Sequence, residues 1–159
     1  MKKLNLGCGE DYKEGWVNLD CRKDIKIDVN WDINKIPFPF KENTFDEVLV
    51  KMILEHAENP FKVLKEIIRI SKKDAKITVI VPHADSYAAK SDLQHKNFFT
   101  ENTFDEWHLS EYELTNLKLI KKEFIFVNKW KKYIPFKKYF KIYLKGIYDD
   151  LLFQFKILK

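Results

Sequence analysis

Cysteine, glycine and arginine are all scarce in this chain of 159 residues, and it has no long apolar run. Its two cysteines, Cys8 and Cys21, are too few for a secreted cross-linked scaffold and fit a reducing compartment. No uninterrupted apolar stretch approaches the ~20 residues needed to cross a bilayer. Met1-Lys2-Lys3-Leu4-Asn5-Leu6-Gly7 carries charge but lacks the apolar segment of a signal peptide. Four glycines leave no Gly/Ser linker, and neither a repeat nor a low-complexity tract interrupts the chain. With 27 of the 29 basic residues being lysine, bidentate reading of bases has almost no arginine to use, which argues against sequence-specific nucleic-acid binding. The expectation is one cytoplasmic domain over residues 1–159.

What the chain does have is apolar mass and an uneven charge. It is 45% hydrophobic and 15% aromatic, enough for a substantial core. The net charge is +5, yet residues 117–159 hold 12 lysines against three acids, so residues 1–116 are net acidic. Segment 129–148 interleaves lysines with aromatics. Phe136, Phe140, Tyr143 and Ile147 form one helical stripe, and Lys137, Lys138, Lys141 and Lys145 form another. The spacing predicts a basic aromatic helical insertion. Its lysines either remain solvated or dock segment 130–147 onto an anionic membrane surface or a phosphorylated carrier.

The hydropathy pattern alternates strand and helix periods. Residues 3–6, 16–20, 25–29 and 47–50 read as strands, and Pro37 and Pro39 bar a helix between the last two. From Asn59 the period becomes helical, with Asn59 as N-cap, Pro60 at the first turn, and Phe61, Leu64 and Ile68 on one face. Residues 76–81 are apolar and largely β-branched, as in a strand covered on both faces. Segment 84–116 is mixed and partly helical, and 117–127 and 152–158 complete a set of seven strands. The pattern implies an α/β fold with a mostly parallel sheet and an antiparallel last strand.

Leu6-Gly7-Cys8-Gly9 ends the first strand in a turn whose backbone can approach a ligand closely, and Asp20 ends the neighbouring strand. A Gly-x-Gly alone is also an ordinary tight turn. Further along come Asp32-Ile33, then Ile36-Pro37-Phe38-Pro39-Phe40, Phe45-Asp46-Glu47-Val48 and Leu54-Glu55-His56. Together and in this order they closely resemble the class I S-adenosylmethionine-dependent methyltransferases, over about residues 3–83. The resemblance implies a Rossmann-like methyltransferase domain with S-adenosylmethionine as cofactor. It places Gly7 and Gly9 by the methionine part, Asp20 on the ribose hydroxyls, Asp32 on the adenine amino group and Ile33 against the ring.

The sequence also departs from that family's pattern. Asn5 stands where an acidic residue is usual, and the third glycine of the turn is missing. Nine residues between Leu6 and Trp16 are short for a parallel crossover, so the first helix should shrink to a turn and the next be absent. A partner that completes the site is one consequence, and the oligomeric state stays open.

Methyl transfer from a sulfonium depends mostly on alignment, and a base is needed only where the acceptor loses a proton. His83 and His95 are the candidate bases, since His83 follows the fifth strand and His95 lies in the segment expected to cover the sheet edge. His83, Asp85 and His95 also have metal-ligand side chains, but no zinc-ligand spacing is present, and no metal centre is expected. The function expected is methyl transfer to a small-molecule or carrier-linked acceptor. The alternative is a non-catalytic S-adenosylmethionine-binding or scaffold subunit that needs a partner. A nicotinamide dehydrogenase is the weaker third reading, because the turn lacks its third glycine.

Overall fold

A computed structural model describes residues 1–127, 129–135 and 146–159. Its strands are β1 (Lys3–Leu6), β2 (Val17–Asp20), β3 (Val29–Asn30), β4 (Phe45–Lys51), β5 (Ser71–Pro82), β6 (Leu117–Ile125) and β7 (Asp150–Ile157). They form one sheet in the order β3-β2-β1-β4-β5-β7-β6. The five strands from β3 to β5 run parallel, and β7 is antiparallel to both β5 and β6. The expected α/β sheet with its antiparallel last strand is therefore present.

The main helix is α1 (Pro60–Ile70). Asn59 caps it by accepting the Lys62 N–H at 3.0 Å, and Pro60 occupies the first turn, where its missing N–H costs nothing. Val63, Leu64, Ile67 and Ile70 are buried against the sheet. On the outer side, Glu66 Oε2 accepts the Phe38 N–H at 2.8 Å, and Arg69 donates to the carbonyls of Phe38 and Phe40. The proline-rich loop before β4 is thus fastened to α1 by polar side chains. Two short helices follow, α2 (Tyr87–Ser91) and α3 (Glu106–Glu111).

Two connections and one strand differ from a complete doubly wound fold. Residues 7–16 turn from β1 to β2 without a helix, and no helix separates β2 from β3. The third strand is also shorter and later than its alternating pattern predicts. Ile25 and Ile27 are half-buried in a loop, and only Val29–Asn30 pairs with β2. The reason lies in Asp28, whose carboxylate receives the Asn18 backbone N–H at 2.7 Å and side-chain amide at 2.9 Å. The loop is held by that bond rather than by a longer ladder.

The proposed stripe of Phe136, Phe140 and Tyr143 and the lysines opposite lie outside the described residues. Beside them, Lys129–Tyr133 forms a single tight helical turn, and Ile147 and Tyr148 are buried. Among the described residues, no helix is long and apolar enough to cross a membrane.

Candidate functional site

β1 is flanked by β2 and β4 in parallel, and the residues expected to face a ligand sit at their carboxyl ends. Gly7 and Gly9 both adopt left-handed backbone, with φ of 67° and 53°. The N–H groups of Gly7 and Cys8 bond to the Leu19 carbonyl at 2.8 and 3.0 Å, which folds the turn back over β2. Asp20 is buried at the tip of β2. Its Oδ2 accepts the Gly9 N–H at 2.9 Å, and its Oδ1 accepts the Arg22 N–H at the same distance. A carboxylate offers about four acceptor positions, so two bonds leave capacity for a further pair of donors.

Asp20 and Asp32 line one cavity of about 110 Å³ with Gly7, Trp31, Ile33 and His56. Ile33 is buried, and the Trp31 indole is fixed by donating to the Lys35 carbonyl at 2.8 Å. Asp32 Oδ1 accepts the Asn34 N–H at 2.9 Å, which orients the carboxylate at its loop. The cavity therefore combines two acidic acceptors with an apolar slot, a donor set that suits a nucleoside. The residues expected from the motifs to hold the cofactor, Gly7, Gly9, Asp20, Asp32 and Ile33, lie within this one corner of the sheet.

Gly7 has a second neighbour that the sequence does not announce. A Cβ added at Gly7 would lie 2.3 Å from Ile53 Cγ1, so Ile53 already fills the space that the glycine leaves open. A second cavity, about 200 Å³, also borders Gly7 and is lined by Asn5, Gly9, Asp11, Lys51 and Met52. Together the two cavities reach the lower end of the roughly 300–1,000 Å³ of small-molecule sites. Gly7 lines both, and the first is lined also by Ile53. Met52, just before it, has φ 51°, a left-handed conformation that a non-glycine residue holds only when its surroundings impose it.

The two candidate bases differ. His83 is buried, its Nδ1 accepts the Asp85 N–H at 3.1 Å, and its Nε2 faces Glu101 at 3.5 Å. The Nδ1 lone pair of His83 is thus engaged by the backbone. His95 donates from Nδ1 to the Ala89 carbonyl at 3.1 Å, which leaves Nε2 with its lone pair. Its ring meets His56 edge to face at 4.7 Å. The N–H groups of Lys96 and Asn97 bond to the Glu55 carbonyl at 2.8 and 3.1 Å, holding this segment on the Leu54–His56 turn.

Glu55 is the residue that sequence reasoning missed. Its side chain is 1% exposed, and Oε2 has no hydrogen-bond partner among the described residues. Burial pushes its carboxyl up to about 7. The signal was present in Leu54-Glu55-His56, but a sequence cannot show that the glutamate turns inward. Burial likewise raises the Cys8 and Cys21 thiols, with the Asp20 charge adding to it, which disfavours the thiolate a nucleophilic cysteine would need.

Residues 8–79, the span of the glycine turn, Asp20, Asp32 and α1, match the methyltransferase-domain family model. Over those residues the chain resembles a methyltransferase domain, and its fold as a whole is that of the class I methyltransferases. The methyl donor of that class is S-adenosylmethionine. A Methanocaldococcus jannaschii relative, the uncharacterised protein MJ0638, is 34% identical over 132 residues, covering 74% of this chain and 55% of the relative. The chain spans about half the length of the curated relatives it matches. A methyltransferase structure from Archaeoglobus fulgidus aligns with a TM-score of 0.72 at 18% identity, over 98% of this chain and 85% of that one. A chain from the complex of the Haloferax volcanii Trm112 methyltransferase activator with its methyltransferase aligns with a TM-score of 0.67. Its identity is 15%, over 99% of this chain and 83% of that one. At these identities the structural likeness establishes the fold of the methyltransferase domain, with the strand order and the β7 reversal described above.

Proposed function

We propose that the methyltransferase domain transfers a methyl group from S-adenosylmethionine to a small-molecule or carrier-linked acceptor. The observation that carries this reading is the cavity shared by Asp20, Asp32 and Ile33 beside Gly7. Asp20 would accept both ribose hydroxyls with the lone pairs that Gly9 and Arg22 leave free. Asp32 would accept from the adenine amino group, and Ile33 and Trp31 would cover the ring. When bound, the cofactor supplies an electrophilic methyl carbon, whose bond to sulfur breaks as an acceptor lone pair bonds to it. The contribution of this chain is alignment and exclusion of water, the main sources of rate in such a displacement. His95, whose Nδ1 is held by the Ala89 carbonyl and whose Nε2 faces Asp92 at 3.7 Å, is the better placed candidate to take the acceptor's proton.

Calorimetric titration with S-adenosylmethionine, S-adenosylhomocysteine and NAD tests the reading. Both sulfur nucleosides should bind and NAD should not; binding of NAD alone overturns it. Asp20→Ala should weaken cofactor binding by about 1.5–3 kcal/mol, the worth of hydrogen bonds to a charged group.

A second reading, a subunit whose site a partner completes, is favoured by the two small cavities and by the activator complex in which a similar fold occurs. It predicts cofactor binding only with the partner added. Docking of 130–147 on an anionic membrane surface or phosphorylated carrier stays a proposal of the same kind, tested by salt-sensitive binding to anionic vesicles.

A further inference from the structure

We propose that Glu55, His56 and His95 form a binding site for one divalent transition-metal ion of the zinc type, at the rim of the cofactor cavity. One ligand atom from each residue lies within 4.8 Å of the others. In a tetrahedral site with bonds of about 2.0–2.1 Å, ligand atoms stand roughly 3.4 Å apart. Side-chain movements of about an ångström therefore complete the set. Two imidazoles and one carboxylate with an open position are the donor set of a catalytic rather than a closed structural metal site.

Three independent features point to an ion rather than to a chance cluster. The first is the buried Glu55 oxygen that no described group satisfies, since a buried polar atom without a partner normally costs about 1–3 kcal/mol. The second is the fixed tautomer of His95. Its Nδ1–H donates to the Ala89 carbonyl, the outer contact that metal-bound histidines commonly make, and this directs the Nε2 lone pair to the ligand. The third is charge. Asp92 Oδ2 stands 3.7 Å from His95 Nε2, so Glu55 and Asp92 together can balance a divalent cation.

The backbone holds the two halves of the set together. Glu55 and His56 belong to the turn after β4, and His95 comes from the segment after α2. The Glu55 carbonyl accepts from both Lys96 and Asn97, and the Asn97 side chain donates to the Ala57 carbonyl at 2.7 Å. His56 also lines the cavity that holds Asp20 and Asp32. An ion there would face the cofactor and could hold an acceptor oxygen in its open position. This catalytic sense rests on the methyl-transfer reading, whereas the metal site itself does not.

The test is titration of chelator-stripped protein with Zn²⁺ and with Co²⁺, followed by competition with a chromophoric chelator and by thermal unfolding. One ion per chain should bind and raise the unfolding temperature. Glu55→Gln, His95→Ala and His56→Ala should each weaken binding by at least about 10–100-fold, while His108→Ala, on α3 away from the cluster, should bind as the wild type does. If the buried positions prevent folding, His56→Ala decides, because His56 is only half-buried. Substoichiometric binding, or affinity unchanged in His56→Ala, overturns the site. Titration of the same stripped protein with S-adenosylmethionine separates the two readings. Metal binding without cofactor binding would leave the site standing and remove the methyl-transfer reading, and the reverse would remove only the site.

Discussion

The two ends of the sheet are stabilised by different chemistry. At the β5–β7–β6 end the strands are long and the interior is aromatic. Phe153 and Phe155 are fully buried, and the Phe104 ring meets them edge to face at 4.9 and 5.4 Å. At the β3–β2–β1 end the strands are two to four residues long, and the covering helices are absent. Asn18 takes over part of their role. Its Oδ1 accepts from Lys13 N and Asn5 Nδ2, and its Nδ2 donates to the Lys13 and Trp16 carbonyls and to Asp28. One fully buried amide thus satisfies the backbone of a loop that a helix would otherwise satisfy internally. Apolar contacts tolerate small displacements, whereas hydrogen bonds fix direction. The end that positions Asp20 is the one built on direction.

The sharpest way to break this contrast is to weaken each end in turn. Phe153→Ala removes a fully buried ring and should cost about 3–5 kcal/mol in denaturant unfolding. If the ends are separable, a folded fraction of this variant keeps the wild-type cofactor affinity. Asn18→Ala should cost less, about 2–3 kcal/mol, chiefly from leaving the Lys13 and Asp28 groups without their partner. It should nevertheless weaken cofactor binding, because Asn18 and Asp20 lie on the same short strand. Equal cofactor affinity in both variants would show that the polar network does not position the site.

The aromatic end was the more legible of the two in the sequence. The apolar run 76–81, the Asn59-Pro60 helix start and the apolar stretch 152–158 each follow from local periodicity, and each lies inside its element apart from at most one residue. The other end was read from its motifs rather than from its periodicity. Gly7, Asp20 and Asp32 line one cavity, but Ile25-Lys26-Ile27 alternates as a strand should and is a loop. A single carboxylate, Asp28, outweighs that pattern by capturing the Asn18 amide. What no pattern could show is which polar side chains turn inward. His83 and Glu55 both follow strands at the same edge, yet the lone pair of His83 Nδ1 is engaged by the backbone and Glu55 Oε2 meets no described group. The Ile53 side chain over Gly7 is likewise a property of packing between distant segments.

The effect that vanishes at low pH tests where the apolar end itself gives way to charge. Asp150 opens β7, opposite Pro82 on β5 and Ile125 on β6, and is 8% exposed. Burial, with the neighbouring Asp149 adding to it, pushes its carboxyl up to about 6, while Lys51 pulls the other way. Asp149 itself is engaged by Lys131 at 2.7 Å and by the Val127 N–H at 2.9 Å. An unfolded aspartate ionises near 3.9. Between about pH 4 and pH 6 the folded chain therefore binds more protons at Asp150 than the unfolded chain, and stability must fall as the pH rises. Asp150→Asn keeps the shape and removes the charge. It should gain up to about 3 kcal/mol over wild type at pH 8, about two pKa units at about 1.4 kcal/mol each, and nothing at pH 4. Denaturant unfolding of both proteins at the two pH values measures the difference directly. Parallel pH profiles would mean that the charge at the start of β7 is solvated, and that the apolar end extends less far toward the ligand edge than its burial suggests.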